Sequence, residues 1–397
     1  MRISRVFLIT AVTAVAMISC DALLNGTTGD PENVLSGRIS EDRTLLSGIA
    51  YIVEGELRVS AELTIPPGTR LLFEEGAELR IESGGVLIAA GTEEQPIRFR
   101  GTTQEPGWWN GIVFYGSTSL NNTLEWVLIE HGGREAIHGS VVPANLVVGY
   151  SLRDGRVRVE NSTIRHSGGY GVAVHENGTL TGWSNNTVTQ NASAPVWAAA
   201  SHAHLLDAES KYTGNDVDAV RLVANRVEEG SVTWQALDVP YRVTGGGTNI
   251  DVRSGLLSIE PGAVLLFEED GGLKITGTAE IVVEGTADER VTFSGTQETP
   301  GWWNGIWVRT DSTNNSLDYV TVEYGGRDEF HSSLEPANIA VGRSITPTYD
   351  SFVSITNSII QSSGGYGLHV HGNSEVNADV ESANEFAANA NDDVRID

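Results

Sequence analysis

The sequence predicts an all-β chain, a parallel β-helix solenoid built from a tandem duplication. Three observations predict it. Short runs of β-branched and aromatic residues alternate with other residues at period two, and Gly, Asn, Asp or Pro separates them. Helical periodicity is nearly absent, an ambiguous alanine-rich patch at 197–208 apart. Long stretches also occur twice. "YIVEGELRVSAELTIPPGTRLLFEEGAELRI" from Tyr51 returns as "YRVTGGGTNIDVRSGLLSIEPGAVLLFEEDGGLKI" from Tyr241, "GWWNGI" at 107–112 returns letter for letter at 301–306, and "SGGYGVAVH" from Ser167 returns as "SGGYGLHVH" from Ser363.

The elements follow in chain order. Arg2 and Arg5 precede an apolar run at 6–18 and then Ser19 and Cys20, the layout of a secretory signal, so 1–19 is expected to be a leader and no part of the fold. Cys20 is the only cysteine, which excludes an intramolecular disulfide. Met17, Ile18, Ser19 and Cys20 resemble a bacterial lipobox, with methionine where leucine is usual. That resemblance implies a lipidated Cys20 and an exported, membrane-anchored lipoprotein of the cell envelope. Residues 20–42 hold Gly, Asn, Asp and Pro without apolar periodicity and are expected to be a tether. Copy 1 then spans 43–225 and copy 2 spans 231–397. Nothing between 222 and 235 reads as a linker, so the second copy is expected to stack directly on the first.

Within copy 1 the β-rich runs fall at 63–65, 71–73, 79–81, 86–88, 97–99, 112–114, 157–159 and 172–174. Runs so short and so closely spaced suit stacked coils rather than a sandwich. Ile65, Phe73, Ile81 and Phe99, with their copies Ile259, Phe267, Ile275 and Phe293, are expected to point inward and to stack on their equivalents one coil away. The stretches "LTIPPGTRLLFEEGAELRIESGGVLIAAGTEEQPIRFRG", "GWWNGI" and "VENSTIRHSGGYGVAV", with their second copies, resemble the right-handed parallel β-helix proteins of bacterial envelopes, members of the pectate-lyase-like superfamily. The resemblance covers about 43–397 and implies the fold and its hand. It does not fix a function, because that fold carries lyases, hydrolases, adhesins and tailspikes alike.

The formal charge is −27, and loss of the leader deepens it by two. Nucleic acid is therefore not expected as a partner, since its binding needs a basic surface. Lys211 and Lys274 are the only lysines, and an acid-rich, lysine-poor surface is similar to that of proteins working in high salt.

Two recurring constellations are candidate sites. Adjacent tryptophans before a strand point to opposite sides of the chain. Either both rings fill an apolar gap between coils, the ordinary fate of tryptophan, or one ring of each pair is a platform for a sugar. The platform rings are expected to be Trp109 and Trp303, with Trp108 and Trp302 packed. Next, "EHGGREAIH" places Glu130, Arg134, Glu135 and His138 in the frame of Glu323, Arg327, Asp328 and His331 in "EYGGRDEFH". Such groups bind a polar ligand or move a proton; as a purely structural set they form an Arg–carboxylate pair that fixes a loop.

Asn161-Ser162 and Asn357-Ser358 read as coil turns, Tyr170 and Tyr366 as packed, and His175 and His371 have no partner in the sequence that would make them metal ligands. No cofactor, catalytic residue or metal site is assigned. Weak calcium binding would fall on "GNDVD" at 214–218 or "NDD" at 391–393, neither with the spacing of a calcium loop. The expected function is non-catalytic display of a β-helix for binding a glycan or an envelope protein. The alternatives are a carbohydrate-active lyase or glycosidase, against which each candidate site occurs twice, and a structural spacer.

Overall fold

A computed structural model describes residues 33–137, 142–150, 152–228, 230–332, 334–343 and 350–397; the leader, Cys20 and His138 lie outside them. Each coil contributes three short strands. Glu62–Ile65, Arg70–Phe73 and Glu78–Ile81 form one coil. Val86–Ala90, Ile97–Gly101 and Gly111–Phe114 lie on them in parallel, with Leu63 opposite Leu87, Leu71 opposite Phe99 and Leu79 opposite Ile112. The chain is a right-handed parallel β-helix.

The period-two pattern decides which residues enter the bore. In "ELTI" Leu63 and Ile65 are buried and in "RLLF" Leu71 and Phe73 are, while the residues between them face outward. All eight expected inward residues are at most 3 % exposed. Each such side chain contributes roughly 1.5–3 kcal/mol by leaving water. One ladder runs Tyr51, Leu71, Phe99, Ile129, Ile164, Val188 through successive coils. The two phenylalanines do not stack on each other as the runs suggested: Phe73 stands opposite Gly101, which leaves room in the bore beside it.

The turns hold as expected. Asn161 and Asn357 take the left-handed conformation, with φ of 52° and 51°, which Asn tolerates. The buried Ser162 and Ser358 hydroxyls accept the N–H of Val127 and Val320 one coil below, each at 3.1 Å. The tether is shorter than expected, because Val34–Ile39 already pairs with Ala50–Val59, with Leu35 opposite Val53 and Ile39 opposite Val59. Polar Ser36, Gly37 and Arg38 interrupt its alternation at a shift of register, which hides the strand in the sequence. No helix among the described residues is long and apolar enough to cross a membrane.

At the junction the alanine-rich patch is the strand Val196–Ala199 followed by a 3-10 turn, Ala200–Leu205. The stack of Gly111–Phe114, Ala144–Val148, Tyr170–Val174 and Val196–Ala199 consists of strands that follow the Gly-Trp-Trp level of copy 1. It continues through Val220–Val223 and Tyr241–Val243 into Val264–Phe267 and Val291–Gly295. In copy 2 those last strands precede the tryptophans. The copies therefore stack without a gap but turned by one face of the three-sided coil, and equivalent surface points fall on different sides of the solenoid.

Candidate functional site: a groove at Trp302

The two "GWWNGI" segments have the same geometry. Trp109 and Trp303 are fully buried in the bore. Their rings stack on Phe73 (3.8 Å, 10°) and Phe267 (4.3 Å, 6°), beside the space left by Gly101 and Gly295. Each indole Nε1 donates to a backbone carbonyl, of Glu130 or of Glu323, at 2.8 Å. Trp108 and Trp302 lie across those same glycines: a Cβ at Gly101 or Gly295 would come within 2.8 Å of the indole Cδ1. Both are half-buried, and their Nε1 atoms donate to Thr102 and Thr296 hydroxyls at 3.0 Å.

The expected assignment of the rings is thus reversed. Trp109 and Trp303 are not sugar platforms, because no face of either ring is open. The cause lies in the following residue. The N–H of Asn110 and Asn304 donates at 2.8 Å to Ala77 and Gly271 one coil below, and their amides reach the carbonyls of Gly76 (3.1 Å) and Asp270 (3.2 Å). The asparagine closes the turn, and the ring before it is directed inward. Gly111 and Gly305 then pass so close to the next coil that a Cβ would lie 2.5 and 2.4 Å from the carbonyls of Ala144 and Ala337.

Among the described residues, Trp302 is a half-open ring with a cleft beside it. It lines a groove of about 500 Å³ with Arg242, Gly246, Glu268, Glu269, Thr296 and Gln297. Arg221 and Arg242 clamp the Glu268 carboxylate at 2.8 Å each, and Glu269 pairs with Arg327 at 3.0 Å. In copy 1 the position of Arg242 is Ile52, and Glu74, the counterpart of Glu268, is exposed. The groove is thus a product of the junction, which sets Arg221 of copy 1 beside Arg242 and Glu268 of copy 2. It offers a flat apolar ring next to guanidinium, amide, hydroxyl and carboxylate groups, a set that holds a hydroxylated ligand by stacking and hydrogen bonds. Two further grooves, of about 710 and 470 Å³, lie at the C-terminal coils and have no tryptophan in their walls.

Among the described residues, the carboxylate and the arginine of the second constellation do not converge. Glu130 is buried on the sheet and accepts from Arg165 Nε at 2.7 Å, whereas Arg134 is exposed and pairs with Glu75 at 2.9 Å. Arg165 follows Glu130 by 35 residues and lies opposite it one coil on, so coil register was the only sequence signal for this pair. In copy 2 Glu323 accepts from Ser294 Oγ (3.0 Å) and Gln361 Nε2 (2.7 Å), and Arg327 is engaged with Glu269. His331 is held below its ordinary pKa by partial desolvation and then by Arg343 and Arg309. Arg134 and Arg327 thus each pair with a glutamate two coils below, across the intervening Gly-Trp-Trp turn.

His371, by contrast, has partners. His369 Nε2 and His371 Nδ1 lie 3.0 and 3.1 Å from one oxygen of Asp397, and these three form the one cluster of potential metal ligands among the described residues. The arrangement does not suit a cation. The Glu335 N–H donates to His369 Nδ1 at 2.9 Å, which places the imidazole proton on Nε2 and leaves no lone pair there. In the two calcium candidates one oxygen of each of two acids is engaged within the turn: Asp218 Oδ1 accepts the Asn215 N–H at 2.7 Å, and Asp393 Oδ1 accepts from Asn389 Nδ2 at 3.0 Å.

No curated protein and no solved structure matches the chain. Residues 37–192, which cover most of copy 1, match the family model described as a pectate-lyase like beta helix domain. Over those residues the chain is similar to that domain.

Proposed function

We propose that this chain is a non-catalytic lipoprotein of a bacterial cell envelope that presents a β-helix and binds a glycan in the Trp302 groove. The observation that supports it is the half-open indole of Trp302 facing a groove of about 500 Å³ lined by Arg242, Glu268, Glu269 and Gln297. Sugar C–H faces pack on such a ring, while the hydroxyls meet the polar wall. Both carboxylates of the groove are already engaged by arginines, an arrangement suited to orienting hydroxyls. The lipobox-like 17–20 segment supports anchoring through Cys20. Replacing Cys20 by Ser is expected to release the protein from membranes, and continued membrane fractionation would refute the anchor.

Binding is tested by a glycan array with the wild type and Trp302→Ala. A bound glycan that the variant loses, with the melting temperature little changed, is the expected result. A second reading, a structural spacer, is favoured by the complete burial of Trp109 and Trp303. It would gain if no glycan binds.

A further inference from the structure

The outer face of the second strand in each coil differs sharply between the copies. In copy 1 the in-register row Arg100, Glu130, Arg165 crosses three coils. His131 and His166 follow Glu130 and Arg165 directly, and their rings lie parallel at 5.7 Å. In copy 2 the same places hold Ser294, Glu323 and Gln361, with Tyr324 and Ser362. There the network closes on itself, because Ser294 and Gln361 both donate to Glu323. In copy 1 it does not close. Glu130 accepts from Arg165, while Arg100 Nε and His131 Nδ1 are buried atoms without a hydrogen-bond partner among the described residues, and His131 is only 6 % exposed.

We propose that this face of copy 1 is an oxyanion site, in which Arg100, Arg165 and His131 hold a carboxylate, sulfate or phosphate group. The chemistry follows from the donors. Arg165 pairs with Glu130, while Arg100, in register with Glu130 and close enough to His131 to repel its proton, has no ion pair among the described residues, on a chain of −27. An unpaired buried Nε–H is costly until a partner arrives, and a charged acceptor is the strongest one available to a guanidinium. Arg165, with a side chain 37 % exposed, and half-buried His166 leave a way in from solvent. The place is also rigid, since the carbonyls of Glu130 and His131 are held by the Trp109 indole at 2.8 Å and the Trp108 N–H at 2.8 Å. Burial, with His166, Arg100 and Arg165 beside it, keeps the His131 imidazole below its ordinary pKa, against the opposing pull of Glu130. A bound anion reverses that balance, so binding is accompanied by proton uptake. The site is independent of the Trp302 groove, which lies in copy 2.

The test is a titration of the full chain at low ionic strength with sodium phosphate and, separately, with galacturonate, followed by the His131 imidazole resonance, assigned through His131→Asn. Asn accepts the left-handed backbone at that position, where φ is 68°. A saturable shift of that resonance is expected, with affinity higher at pH 5.5 than at pH 7.5, and about tenfold or more weaker in Arg100→Gln. Arg100→Lys, which keeps the charge but lacks the fork, is expected to fall between the two. A response to galacturonate and not to phosphate assigns the site to acidic sugars, and the reverse assigns it to inorganic oxyanions. No saturable response to either probe, or equal affinity in folded Arg100→Gln, overturns the proposal.

Discussion

Copy 1 and copy 2 share an interior and differ on the outside. Trp109 on Phe73 and Trp303 on Phe267 are nearly superposable stacks, and the glycines opposite those phenylalanines are kept in both. On the surface, Ile52 has become Arg242, Arg100 has become Ser294, and Arg165 has become Gln361. The bore is close-packed and every side chain in it is constrained by the coils above and below. Outward residues meet solvent on one side and are free to diverge. The one-face turn at Ala200–Leu205 strengthens the contrast, because even residues that did not diverge no longer point the same way.

This comparison can be broken in several places. The largest expected effect is in the shared interior: Trp109→Ala and Trp303→Ala should each cost about 3–5 kcal/mol, measured by chemical denaturation. Markedly unequal losses would break the claim that the bore repeats. Next comes the junction, which neither copy contains twice. His202, in the 3-10 turn, is 7 % exposed, and its pKa is pushed down to about 4 by burial first, then by His204 and His175. As pH falls below the ordinary 6.5, the unfolded chain takes up the proton before the folded one. Stability should therefore fall by about 3 kcal/mol between pH 6.5 and 4 and then level off. His202→Gln should flatten that dependence, and an unchanged slope would place the sensitivity elsewhere.

A smaller effect is expected at the second glycine of each motif. Gly111→Ala and Gly305→Ala, at φ of 122° and 100° and against a carbonyl, should cost about 1–3 kcal/mol each, visible as a lower melting temperature. The smallest belongs to the exposed pairs Arg134–Glu75 and Arg327–Glu269. Truncating either arginine to Ala should change stability by less than about 1 kcal/mol. A larger loss would mean that these loops carry more of the fold than their exposure suggests.

The interior was readable because alternation at period two is a local property. Ile65, Phe73, Ile81 and Phe99 needed only their own neighbours to be placed. What escaped depends on residues a coil away. The inward turn of Trp109 is set by Asn110 bonding to Ala77 and Gly76, and by the vacancy opposite Phe73, neither of which a linear reading exposes. Arg165 as the partner of Glu130, and Arg221 and Arg242 as partners of Glu268, appear only once the register between coils is known. The turn between the copies was hidden for a related reason: the patch at 197–208 has no strong periodicity, and its 3-10 geometry is fixed by packing between coils.

The central claim is that each "GWWNGI" places its second tryptophan in the bore and its first at the surface. Hydroxyl-radical footprinting of the folded chain, read tryptophan by tryptophan by mass spectrometry, tests it most directly. Oxidation at Trp108 and Trp302 with protection of Trp109 and Trp303 is the predicted result. Oxidation of Trp109 and Trp303, with Trp108 and Trp302 protected, would contradict it.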